Sequence, residues 1–107
     1  TLQDSLRPQK LYHLLAGKAK TRKHFGSYKY QGEWGLLDHI IVSGTLLQEH
    51  APLYTEEAKT DVFCLPFLLT RDKKYGGQQP FRTYYGMKYQ GGYSDHLPVW
   101  AEFRLLY

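Results

Sequence analysis

The stretch Tyr93-Ser94-Asp95-His96-Leu97-Pro98-Val99-Trp100 decides how this chain is read. From Leu97 onward, Leu97, Val99, Ala101, Phe103 and Leu105 alternate with Pro98, Trp100, Glu102 and Arg104. A period of two with one apolar face marks a half-buried strand. Gly91 and Gly92 stand in front as a turn signal. Asp95 and His96, both able to bind metal or phosphate, therefore fall where a turn feeds a strand. Loops anchored by buried strands are where rigid scaffolds hold active-site groups. The same eight residues also fit a plain turn before an edge strand, with Asp95 as a turn residue.

A second stretch, Trp34-Gly35-Leu36-Leu37-Asp38-His39-Ile40-Ile41-Val42-Ser43, repeats the arrangement: a loop, an acid, then a strand. The two motifs in order, D-H-I-I-V-S and later S-D-H-L-P-V, resemble the endonuclease/exonuclease/phosphatase superfamily, the metal-dependent phosphodiesterases related to DNase I and the abasic-site endonucleases. The resemblance covers roughly Gly26 to Phe103, and its S-D-H-x-P motif is the more specific of the two.

The resemblance implies a site. His96 matches the family's catalytic histidine, Asp38 the aspartate that pairs with it, and Asp95 the motif aspartate near the metal, Mg²⁺ or Mn²⁺. Ser94 shapes the turn. Tyr85, Tyr89 and Tyr93 lie where the family contacts substrate. The chemistry agrees. Phosphodiester hydrolysis needs charge stabilisation on the phosphoryl oxygens and an activated water. An imidazole in that role needs an acceptor behind its other nitrogen, and Asp38 is the candidate, expected within hydrogen-bond reach. Asp95, on the opposite side of an extended backbone from His96, is free to ligate a metal or orient water.

The chain also departs from the family pattern. The family's early asparagine, its metal-binding glutamate and its G-D-F-N stretch do not occur here. The expectation is an α+β chain, the C-terminal part of a DNase I-like four-layered α/β-sandwich, with a mixed, mostly antiparallel sheet and few short helices. Residues 1–107 would then be one part of a domain whose N-terminal half is its missing partner. The substrate would be a phosphoester, nucleic acid among the options. Two other readings stay open: a non-catalytic β-rich module binding single-stranded nucleic acid through basic and aromatic residues, and a structural interaction domain in which Asp38, Asp95 and His96 only end strands.

Bulk properties bound these readings. A chain of 107 residues is one domain at most. Its net charge of +4 suits an anionic partner. Its ten tyrosines suit sheets and their surfaces. No apolar run approaches the roughly 18–20 residues that span a bilayer, so no membrane partner is expected, and no signal peptide is visible. The chain opens on Thr1, which points to a processed product or a part of a longer chain. Cys64, the single cysteine, lies in the apolar run Val62-Phe63-Cys64-Leu65 and is expected to be a buried, inert thiol.

Local patterns predict a helix over about Gln9 to Ala16, with Leu11, Leu14 and Leu15 on one face and Gly17 as its stop. The run Lys18, Lys20, Arg22, Lys23 and His24 reads as a solvated loop. Strands are predicted at Phe25–Tyr30, Asp38–Ser43, Asp61–Leu65 and Leu97–Leu105. The Asp38–Ser43 strand, apolar on both faces, should be central. Thr70–Pro80 reads as a mobile polar loop. Lys29-Tyr30-Gln31-Gly32 recurs as Lys88-Tyr89-Gln90-Gly91. Since neither period nor context repeats otherwise, the echo reads as coincidence.

Overall fold

Short antiparallel pairs build the molecule, which a computed structural model describes over residues 6–106. The first pair joins β1 (Leu11–His13) to β4 (Ile41–Ser43), with Tyr12 opposite Val42. β2 (Tyr28–Tyr30) and β3 (Glu33–Gly35) form a hairpin through Gln31 and Gly32, whose φ values of 49° and 85° make the left-handed two-residue turn. β5 (Leu53–Tyr54) and β6 (Thr60–Val62) pair with the C-terminal run. β7 (Leu69–Arg71) with β8 (Gln78–Pro80), and β9 (Tyr84–Tyr85) with β10 (Lys88–Tyr89), are two further hairpins. One helix, α1 (Ala16–Thr21), and three 3₁₀ turns complete the described residues. The result is β-rich with little helix. None of the described helices is long and apolar enough to cross a membrane.

The predicted C-terminal strand divides. β11 (Val99–Ala101) pairs with β6, and β12 (Arg104–Leu105) pairs with β5. The reason lies opposite: a 3₁₀ turn at Glu57–Lys59 separates β5 from β6, so one extended run meets two partners in succession. Glu102 N–H bridges the break to the Lys59 carbonyl at 2.9 Å. The apolar alternation holds from Leu97 to Ala101 and lapses at Phe103 and Leu105, both exposed.

Several expectations are corrected. Leu11 to His13 is strand, and the helix starts at Ala16 and runs through Gly17. A short isolated helix is costly to nucleate, whereas Leu11–His13 completes a ladder with β4, and Leu14 and Leu15 are fully buried in the turn that follows. Gly17 is no stop. A Cβ there would stand 2.9 Å from the Glu57 carboxylate, so the glycine admits a close approach. The basic run falls partly on α1: the Lys18 ammonium donates to the Glu57 and Thr60 carbonyls, and Arg22 pairs with Asp61 at 3.2 Å. β4 is shorter than predicted and is not central, since it pairs with β1 alone and Ile41 is exposed. Cys64 is exposed rather than buried, because Pro66 turns the chain away soon after β6. Its thiol is nonetheless raised by partial desolvation and by Asp61, which keeps it in the poorly reactive protonated form.

Residues 70–80, read as a loop, are an ordered hairpin. Asp72 Oδ1 accepts the N–H groups of Lys74 and Tyr75, and Gly76 and Gly77 take φ values of 86° and 68° to close it. The Lys29 ammonium reaches across from β2. It pairs with Asp72 at 2.9 Å and donates to the Gly76 and Gln78 carbonyls at 2.9 and 3.0 Å. Both side chains of the pair are 5% exposed. All three ammonium protons are thus satisfied, the condition under which a buried charge is tolerated.

The core is small. Leu14, Val42 and Leu47 form its buried cluster, with Tyr12, Ile40 and Leu46 packed against it. Many large apolar side chains remain exposed, among them Leu37, Phe67, Trp100 and Leu105. The radius of gyration is 16.5 Å, against about 13 Å for a compact chain of roughly 100 residues.

Candidate active site

Two loops meet at Ser27. This residue is fully buried just before β2. Its N–H is fixed by the Gly35 carbonyl at 3.0 Å. Its own carbonyl accepts the Leu97 N–H at 2.7 Å, and its hydroxyl oxygen accepts the Asp38 N–H at 3.2 Å. One residue therefore pins the start of both acid-bearing motifs. An isolated antiparallel bridge between Tyr28 and His96 continues the contact, and burial of Leu97 behind it anchors the segment.

This scaffold brings Asp38 and His96 together. His96 Nδ1–H donates to Asp38 Oδ2 at 2.6 Å, a charge-assisted length. With Nδ1 so engaged, Nε2 has no partner among the described residues and is the nitrogen available for chemistry. The Tyr28 ring lies against the imidazole, centroids 4.9 Å apart. Ser94 Oγ accepts the His96 N–H at 3.1 Å, which tightens the turn. The pair opens on a hollow of about 290 Å³ that Leu68, Tyr93, Ser94 and Pro98 also line.

Partial desolvation pushes the Asp38 carboxyl upward, but hydrogen bonds from the Ser27 hydroxyl and the His96 ring, with the charges of His96 and His39, outweigh it. The net pKa lies below the usual carboxylate range. The sign follows: a depressed folded pKa adds stability that is present above the unfolded value and is lost as pH falls through the folded one. The pair therefore keeps its carboxylate throughout the neutral range and loses it only in acid. Since both side chains are more than a third exposed, solvent screening keeps this contribution to stability small.

The other predicted residues are placed differently. Tyr93 lines the hollow, its ring edge-on to Phe67 at 5.5 Å. Tyr85 and Tyr89 lie on the β9–β10 hairpin and do not line it. Tyr89 packs edge-on against Tyr84. Asp95 is exposed and is not among the lining residues. No set of three or more His, Cys, Asp or Glu side chains converges among the described residues. The residues present thus do not by themselves make a metal site. Ser27 and Tyr28 escaped the sequence reading, because their contribution is made through backbone groups and one ring, and only the neighbouring Gly26 hints at a close approach there.

Gly92 sets the path into the site. A Cβ on it would stand 2.0 Å from the Phe81 carbonyl oxygen and 2.6 Å from that of Arg82. Gly92→Ala is therefore expected to destabilise the protein by about 1–3 kcal/mol, read as a lower melting temperature. Gly35→Ala, where a Cβ meets nothing within 4 Å, should melt as the wild type does. Equal melting of the two variants would show that the Gly92 contact is not tight.

Comparison with known proteins gives one match. A family model described as "Endonuclease/Exonuclease/phosphatase family" covers residues 2–105. Neither curated proteins nor solved structures give a match.

Proposed function

This chain belongs to the endonuclease/exonuclease/phosphatase family, and on that premise we propose that its Asp38–His96 pair serves the hydrolysis of phosphoester bonds. The observation that carries the reading is the 2.6 Å hydrogen bond between the two side chains at the edge of an open hollow. Asp38, held as a carboxylate, fixes the orientation of the ring. A ring protonated on both nitrogens keeps Nδ1–H on Asp38 and presents Nε2–H to a phosphoryl oxygen. That hydrogen bond strengthens as negative charge grows in the transition state, which is the requirement for raising turnover rather than binding alone. Tyr93 borders the place where substrate would lie. Asp95 is proposed as a metal ligand or water-orienting group.

Enzymes of this family typically depend on a divalent metal. Mg²⁺ keeps several waters and takes one or two carboxylates plus substrate phosphates, so Mg²⁺ or Mn²⁺ here would need donors beyond the described residues. We further propose that residues 1–107 form the C-terminal part of a DNase I-like sandwich, completed by a segment carrying the asparagine, glutamate and G-D-F-N groups. The many exposed apolar side chains and the extended dimensions support this.

The test is hydrolysis of a chromogenic bis-aryl phosphate and of plasmid DNA, with and without EDTA. The full-length protein should cleave in an EDTA-sensitive manner. Residues 1–107 alone should show no meaningful rate, because members of a catalytic unit act non-additively and part of a site retains little. EDTA-sensitive cleavage by residues 1–107 alone would overturn the partition of the site. Absence of any hydrolysis by the full-length protein would overturn the function.

A further inference from the structure

A second groove lies apart from the hollow beside Asp38 and His96. It holds about 580 Å³ between the β2–β3 turn, the β7–β8 hairpin and the β9–β10 hairpin. Its only carboxylate is Asp72, already neutralised by Lys29. Arg71, Lys73, Lys74 and Arg82 also line it, and none has a carboxylate partner among the described residues. Arg82 Nε is buried without a hydrogen-bond partner. The groove is thus a concave surface with surplus positive charge.

Flat rings alternate with these charges. The Arg82 guanidinium lies 5.2 Å from the Tyr85 ring centroid, and the Lys74 ammonium 5.3 Å from that of Tyr75. Tyr30 and Tyr85 are mostly exposed, with Arg82 over one face of the Tyr85 ring. Both copies of the Lys-Tyr-Gln-Gly echo reach this one groove, through Lys29 to Gly32 and through Gln90. Tyr28 lines the groove and also packs on His96, so the groove begins beside the catalytic pair.

We propose that this groove binds the flank of a single-stranded nucleic acid, with phosphates on Arg71, Lys73 and Arg82 and unpaired bases stacked on Tyr30 and Tyr85. The assignment rests on the phosphoesterase reading only for the orientation of the strand past Tyr28. Cations interleaved with aromatic faces are what a strand with exposed bases uses. A duplex hides those faces, and an inositol phosphate has none to offer.

Fluorescence anisotropy of a labelled twelve-nucleotide oligo(dT) on the full-length protein, in EDTA, tests this. Affinity should fall with salt with a logarithmic slope of about −2, for the three phosphates neutralised by Arg71, Lys73 and Arg82. Arg71→Glu with Lys73→Glu should weaken binding by at least about tenfold. Tyr30→Ala with Tyr85→Ala should weaken it by about tenfold with the salt slope unchanged. These side chains are solvent-facing, and a thermal melt checks that each variant is folded. Undetectable binding by the wild type, equal affinity for a duplex of the same length, indifference to the tyrosine changes, or tighter binding of inositol hexakisphosphate would each overturn the proposal. A protein that binds oligo(dT) but hydrolyses nothing would sink the phosphoesterase function and leave the groove standing. One that hydrolyses the chromogenic diester without binding oligo(dT) would do the reverse.

Discussion

Replacing His96 by alanine in the full-length protein should lower turnover on a phosphodiester by about 10²–10⁴-fold while moving KM far less. The imidazole is positioned by three independent contacts: the Asp38 carboxylate at 2.6 Å, the Tyr28 ring, and the Leu97 N–H bond to Ser27 one residue on. A group held so firmly before substrate arrives loses little entropy when charge develops on the phosphate, and its removal registers in kcat. Asp38→Asn should act in the same direction and more mildly. An amide oxygen still accepts the Nδ1–H, so orientation survives in part, but the charge-assisted bond that holds the ring is weakened. Because Asp38 titrates below the usual carboxylate range, an acid limb near neutrality in the wild-type rate profile should not arise from this carboxylate. Steady-state kinetics on the two variants decide the matter. Full activity of His96→Ala would remove the assignment on which the proposed function depends.

Lys29→Met carries the largest expected effect on stability. The substitution leaves the Asp72 carboxylate buried with its cation removed, and it strips the Gly76 and Gln78 carbonyls of their donor. Uncompensated buried charges are among the costliest single changes. The melting temperature should fall by more than about 10 °C. The double variant Lys29→Met/Asp72→Asn should recover part of the loss, since no unpaired charge remains and the asparagine oxygen can still accept from Lys74 and Tyr75. A single variant that melts with the wild type would mean that water reaches Asp72 freely. The consequence extends beyond stability, because this pair holds the β7–β8 hairpin against β2 and so shapes one wall of the groove.

The meeting of Asp38 with His96 was legible because two motifs carried it. Their residue order, an acid or acid–histidine followed by an apolar run, encodes a loop ending on an anchored strand wherever it occurs. The predicted strand Phe25–Tyr30 contains β2, but its partner β3 and the β7–β8 hairpin were not legible as strands. Their residues are polar, and what makes them pair is turn geometry at Gln31–Gly32 and Gly76–Gly77 together with one long-range ion pair. Neither leaves a periodic trace. Leu11, Leu14 and Leu15 misled for the opposite reason. Their spacing suits a helical face, yet Leu11 is exposed on a strand while Leu14 and Leu15 fill a buried turn. Periodicity records which side chains are apolar, and tertiary pairing decides the backbone that carries them.

Every named strand described pairs with one neighbouring strand only. A sheet of many strands opens as a unit, because each inner strand is gripped on both sides. Here any ladder can fray without tearing a second, so opening free energies should be local and unequal. The Asp38–His96 pair straddles such a seam: one motif follows β3, the other precedes β11, and Ser27 stitches them. A ligand touching both margins would lose less by binding to a molecule whose seam is already drawn tight, and would itself draw it tighter. Affinity and order would then rise together, read as slower amide exchange at Ser27, Asp38 and Leu97 once a ligand is bound.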